Sequence, residues 1–147
     1  MKLADSVVQR WTPIARSVLR IVSAFLFTSH GLQKILDFPV ARATPVELTS
    51  LSGIAGLLEL VGGMLMLLGL FTRPVAFMLS GEMAFAYFLA HAPQGFWPIL
   101  NRGELAVLYC FVFLYFAVAG GGSFSIDAWS KHRLAAREGH RGGVTSG

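Results

Sequence analysis

Arg20, His30, Glu59 and Glu82 are ionisable residues set inside stretches that are otherwise apolar. At the centre of a membrane span such a group costs about 2.5–3.5 kcal/mol unless it finds a partner or a proton. A chain with 54% hydrophobic and 14% charged residues has few charges to place. Their position therefore points to ion pairing, to proton exchange or to binding of a polar headgroup. Lys34 and Glu104 stand near the same stretches and extend the set.

The elements that must position these groups are apolar runs of membrane-crossing length, about 17–25 residues each. Four are expected, at 14–36, 51–70, 74–92 and 103–120. Short connections make neighbours antiparallel, so the expected fold is all-α, an integral membrane four-helix bundle of up-down topology. Residues 1–13 read as an interfacial lead-in, with Pro13 at the helix entrance. Residues 14–122 read as the membrane domain and 123–147 as a basic, partly disordered tail. Ala41-Arg-Ala43 has the form of a signal-peptidase site, but the preceding run is too long and carries His30 and Lys34, so span one is expected to be retained.

The net charge of +4 sits in the flanks. Lys2, Arg10, Arg16, Arg73, Lys131, Arg133, Arg137 and Arg141 share one side, against Lys34, Arg42 and Arg102 on the other. The positive-inside rule then places both termini in the cytoplasm, and a bacterial inner-membrane location follows as the expectation. The basic tail reads as solvated and lipid-facing, with no nucleic-acid partner. Cys110 is the one cysteine, which leaves no intrachain disulfide or Cys-x-x-Cys relay; it reads as a packing residue.

Arg16, Arg20, Ser23, Phe27, His30 and Lys34 recur at alternating spacings of four and three, one seam of a helix. Arg16 snorkels to the surface in this reading. Ser52, Gly56, Glu59 and Gly63 share a face of span two, and Glu104 shares one with Leu108, Phe111 and Tyr115. At 1.5 Å per residue, Arg20 and Glu82 lie about 9 and 12 Å from the cytoplasmic ends of their spans. His30 and Glu59 lie about 9 and 12 Å from the outer ends. The expectation is an inner structural pair, Arg20–Glu82, and an outer cluster of His30, Lys34, Glu59 and Glu104 that binds a ligand or relays protons. His91 falls on the opposite helical face from Glu82. No His-x-x-x-His or similar ligand spacing occurs, so no metal is expected. The glycines of span two, Gly53, Gly56, Gly62, Gly63 and Gly69, serve close packing within the bundle or a homo-oligomer equally well.

The chain resembles the DoxX family of small four-span bacterial membrane proteins. The resemblance rests on Arg20, on His30-Gly31-Leu-Gln-Lys34, on Gly56-Leu-Leu-Glu59 and on Leu68-Gly69-Leu70-Phe71-Thr72-Arg73. It continues through Glu82-Met83-Ala84, His91-Ala-Pro-Gln-Gly95-Phe96, Asn101-Arg-Gly-Glu104 and the closing Gly120-Gly-Gly122-Ser-Phe-Ser-Ile-Asp127. It implies that Arg20, His30, Lys34, Glu59, Glu82 and Glu104 occupy the family's polar positions. Because the family includes a subunit of a thiosulfate:quinone oxidoreductase, it also implies a membrane subunit of a quinone-linked system with oxidoreductase partner subunits. A lipid- or metabolite-binding carrier and a non-catalytic scaffold are the alternatives.

Overall fold

The computed structural model describes residues 2–142, with side chains described for 6–134. Its long helices are α1 (Lys2–Leu36), α2 (Leu51–Leu68), α3 (Thr72–Ala86), α5 (Glu104–Ala119) and α6 (Ile126–Gly142); α4 (Pro98–Asn101) is one turn. No strand occurs among the described residues.

Local chemistry sets the boundaries. Ser50 caps α2 by accepting from the Gly53 N–H at 3.1 Å, as an N-terminal hydroxyl does. Gly69 ends the helix at φ 67°, and the Leu70 N–H returns to the Leu65 carbonyl at 3.0 Å. This left-handed turn suits a residue without Cβ. The start of α3 has no local side-chain cap. Instead the Asp127 carboxylate accepts from the N–H groups of Phe71 and Thr72 at 2.9 and 2.8 Å. A carboxylate there satisfies orphan donors and complements the helix dipole.

Residue levels show that the packing is antiparallel throughout. Along α1 and α2, Lys34 meets Gly56, Gly31 meets Leu60, Thr28 meets Gly63 and Arg20 meets Met66. Along α3 and α5, Ser80 bonds to the Cys110 carbonyl at 2.8 Å and Tyr87 meets Gly103. Gly62 on Leu79 joins α2 to α3. Phe27 joins α1 to α5, edge-on to Phe113 at 4.8 Å and to Tyr109 at 5.2 Å. The core is centred on Ala24, Phe27, Met66, Leu79, Phe113 and Phe116. Outward faces are apolar too: Phe25, Leu57, Val61, Phe77, Phe111 and Val118 are exposed. Such a contiguous apolar exterior marks a surface made for an apolar surrounding rather than water. Helix α2 and the 72–94 segment are long and apolar enough to cross a membrane, and α5 is a shorter apolar helix.

Two expectations change. Helix α1 continues through Pro13, so the proline lies inside the helix and not at its entrance. The tail carries α6 over residues 126–142, where a partly disordered segment was expected. Ser125 starts it by accepting from the Ala128 N–H at 3.2 Å. Residues 143–147 of the expected tail lie outside the described residues.

At Gly31 the backbones of α1 and α2 approach closely. A Cβ there would meet the Leu60 backbone nitrogen and lie 2.7 Å from its Cα. Overpacking of this kind costs about 1–3 kcal/mol. Gly31→Val is therefore expected to lower the thermal midpoint in detergent, whereas Gly81→Ala, with nothing within 4 Å of its Cβ, is expected to leave it unchanged. Thermal scans of the two variants side by side check this.

Candidate functional site

The tight contact at Gly31 fixes the register of α1 on α2, and one turn further along α1 that register delivers a charge. Lys34 Nζ lies 2.6 Å from Glu59 Oε1. Lys34 stands in the last turn of α1, where a cation complements the helix dipole. Glu59 is only 4% exposed, so its charge is held away from water and depends on that ammonium. Its second oxygen, Oε2, is buried without a partner among the described residues.

Glu82 belongs to the same group. Both of its carboxyl oxygens are buried and unpartnered, and Glu59 and Lys34 are close enough to act on it electrostatically. Buried polar atoms are nearly always hydrogen-bonded, so these exceptions call for a reason. Two carboxyls facing one ammonium call for a further hydrogen-bond donor, either a proton on a carboxyl or a group on a bound molecule.

Beside this group α2 and α3 splay to leave a groove of about 690 Å³. Its walls are Leu51, Ile54, Ala55 and Leu58 from α2 and Met78, Phe85 and Leu89 from α3. Its polar side chains are Lys34, Ser52 and Glu82. A mostly apolar cleft with a few polar groups at one place is the usual form of a small-molecule site.

The expected Arg20–Glu82 pair does not form. Arg20 is fully buried, and its guanidinium donates to four carbonyls: Gly121 at 2.9 Å, Leu67 at 2.7 Å, Met66 and Phe124. Two of these belong to the C-terminal turn of α2, where carbonyls lack intrahelical donors. Because α1 extends further back than expected, Arg20 lies level with the α2–α3 turn. Glu82 is about 15 Å along α3 from that turn.

The expected outer cluster is only partly assembled. His30 is exposed, with its ring 6.2 Å from that of Tyr109. A straight helix drifts by about 20° per heptad from a 3.5-residue seam. That drift puts Gly31 and not His30 against α2. Glu104 is exposed at the start of α5, on the outward face with Leu108, Phe111 and Tyr115. The buried tyrosine of α5 is Tyr109. His91 contacts the Asn101 carbonyl through Nδ1 at 3.0 Å and stacks on Tyr87 in a π-helical turn, away from the groove.

Sequence reasoning missed that Glu82 keeps company with Glu59, although a signal existed. Counted from the turn they share, Glu59 and Glu82 stand about 14 and 15 Å along their helices. Measuring from opposite membrane faces concealed this.

The fold and this buried charged group define an all-helical protein of membrane character. The DoxX family model matches residues 15–92, and the chain belongs to the DoxX family. It is 45% identical over 129 residues to a protein of Haemophilus influenzae described as an uncharacterized protein; the match covers 81% of this chain and 92% of that one. No solved structure matches the chain.

Removing one partner of a buried pair strands the other, at about 3–5 kcal/mol when both are deeply buried. Lys34 is 22% exposed at its side chain, which softens the loss. The expectation is that Lys34→Met and Glu59→Gln each lower the thermal midpoint, and that the double variant is more stable than Lys34→Met alone. Additive losses in a double-mutant cycle would show that the pair is not coupled.

Proposed function

We propose that α1, α2, α3 and α5 cross the bacterial inner membrane with both termini cytoplasmic, and that the groove between α2 and α3 binds a quinone-like headgroup. In this reading the chain is the membrane subunit of a quinone-linked oxidoreductase system. The observation that carries it is the meeting of Lys34, Glu59 and Glu82 at a mostly apolar groove, with three carboxyl oxygens unpartnered.

The residues present fit such a group. Lys34 would donate to a headgroup carbonyl oxygen, and Glu82 would accept from a headgroup hydroxyl or exchange its proton. Glu59 holds the Lys34 ammonium in place and balances its charge. Leu58, Phe85 and Leu89 supply the apolar walls that a ring and an isoprenoid chain require. A quinone, when bound, takes up two electrons and two protons; the electrons come from a sulfur or thiol substrate oxidised on a partner subunit. This chain's contribution is to bind, orient and move protons at Glu82.

The exposed rim of the groove, including Leu51, Ile54 and Leu89, favours entry from the lipid phase. It equally supports a second reading, a carrier for a lipid-soluble molecule without redox chemistry.

Mass spectrometry of small molecules retained by gently purified protein separates the two. The expected result is a near-stoichiometric quinone in the wild type, lost in Glu82→Gln and in Ala55→Trp, which fills the groove. Loss of a redox-inactive lipid in the same variants would establish the carrier instead. Retention that is identical in all three proteins would overturn the groove as a binding site.

A further inference from the structure

A second pocket, of about 760 Å³, opens at the other end of the bundle, between the start of α3, the end of α5 and α6. It lies apart from the groove, and nothing in the groove reading depends on it. Arg16, Arg73, Lys131 and His132 line it. Among the described residues its one carboxylate, Asp127, is engaged by the Phe71 and Thr72 N–H groups. The remaining charge of the described lining is therefore cationic.

Among the described residues, two polar atoms of its lining are buried without partners. Arg16 donates through Nη1 to the Ala119 carbonyl at 2.6 Å, but its Nε has no acceptor. Thr72 is fully buried, and its Oγ1 is likewise unpartnered. Next to them runs Gly120-Gly121-Gly122. A Cβ on Gly121 would stand 2.8 Å from Thr72 Oγ1, and one on Gly120 would stand 3.5 Å from Arg73 Nε. Gly121 is thus packed closely against Thr72, while Gly120 borders the Arg73 guanidinium at the pocket wall.

The flank of the pocket is amphipathic. Trp129 and Leu134 of α6 are exposed, and the Arg133 guanidinium lies 3.8 Å over the Trp129 ring. A helix with Trp and Leu among basic residues is suited to the plane of a membrane interface. Basic pockets between membrane helices bind anionic headgroups.

We propose that this pocket binds the phosphate-bearing headgroup of an anionic phospholipid. Arg73 and Lys131 supply charge from the rim, Arg16 Nε and Thr72 Oγ1 supply donors from the wall, and Leu134 and Trp129 lie along the acyl chains. A free phosphate would meet the same donors but would gain nothing from that apolar flank.

The test is native mass spectrometry of the full-length chain in detergent, titrated with phosphatidylglycerol, with phosphatidylcholine or with inorganic phosphate. The wild type is expected to retain one phosphatidylglycerol in preference to phosphatidylcholine. Arg73→Gln with Lys131→Gln removes two rim charges and is expected to weaken that retention by roughly 10- to 30-fold. Thr72→Val, nearly isosteric, is expected to weaken it less, and Arg102→Gln at the opposite end of the bundle should leave it unchanged. Equal retention of the two lipids, or an equal loss in Arg102→Gln, would overturn the site. Retention of inorganic phosphate without preference for the anionic lipid would overturn the lipid assignment in favour of a free anion.

Discussion

The buried guanidinium of Arg20 is the interaction on which the rest of the structure depends. A charge with no exposure to water needs acceptors on every side, and here main-chain carbonyls supply them. Met66 and Leu67 belong to the end of α2, while Gly121 and Phe124 belong to the segment after α5. One side chain of α1 therefore ties three parts of the chain together. Around it Ser17 accepts from the Phe124 N–H at 3.0 Å, and the Asp127 N–H donates to the Gly69 carbonyl at 3.0 Å. The Asp127 carboxylate then caps α3. With this end of the bundle pinned, α2 and α3 run from a common level, and Glu59 and Glu82 arrive together.

The other end is looser, and this asymmetry shapes the site. Helices α1 and α2 are closely packed through glycine, and α3 packs along α5 around Ser80 and Tyr87. The seam between α2 and α3 is closed at Gly62 on Leu79, yet opens into the groove beyond it. The ion pair of Lys34 and Glu59 lies within the tight hairpin, whereas Glu82 reaches in from the second. A ligand seated there would touch both hairpins and would bridge the opening between α2 and α3.

Much of this was legible in the sequence, because membrane helices must satisfy their backbone internally and display apolar side chains outside. Those demands give the all-helical character and make Arg20, Glu59 and Glu82 stand out among apolar residues. The partners of those charges were harder to read. A sequence offers Arg20 a carboxylate partner because side-chain charges are visible in it, whereas a cluster of carbonyls at a helix end is created only by folding. The rotational position of His30 turned on a drift that accumulates over a long helix and that no short spacing reveals. Asp127 stood out as part of a recurring string, but its task, capping a helix that begins at Thr72, required the chain to return on itself.

The wide separation of Arg20 from its acceptors also bears on how the chain matures. Gly121 and Phe124 follow Arg20 by 101 and 104 positions. During synthesis the first hairpin can offer the guanidinium only the α2 carbonyls, and the remaining acceptors emerge after α5 has been made. Until then two of its four carbonyl acceptors are missing and half of its shell is open. The shell of this arginine can therefore be completed only after the glycine segment that follows α5 has been made.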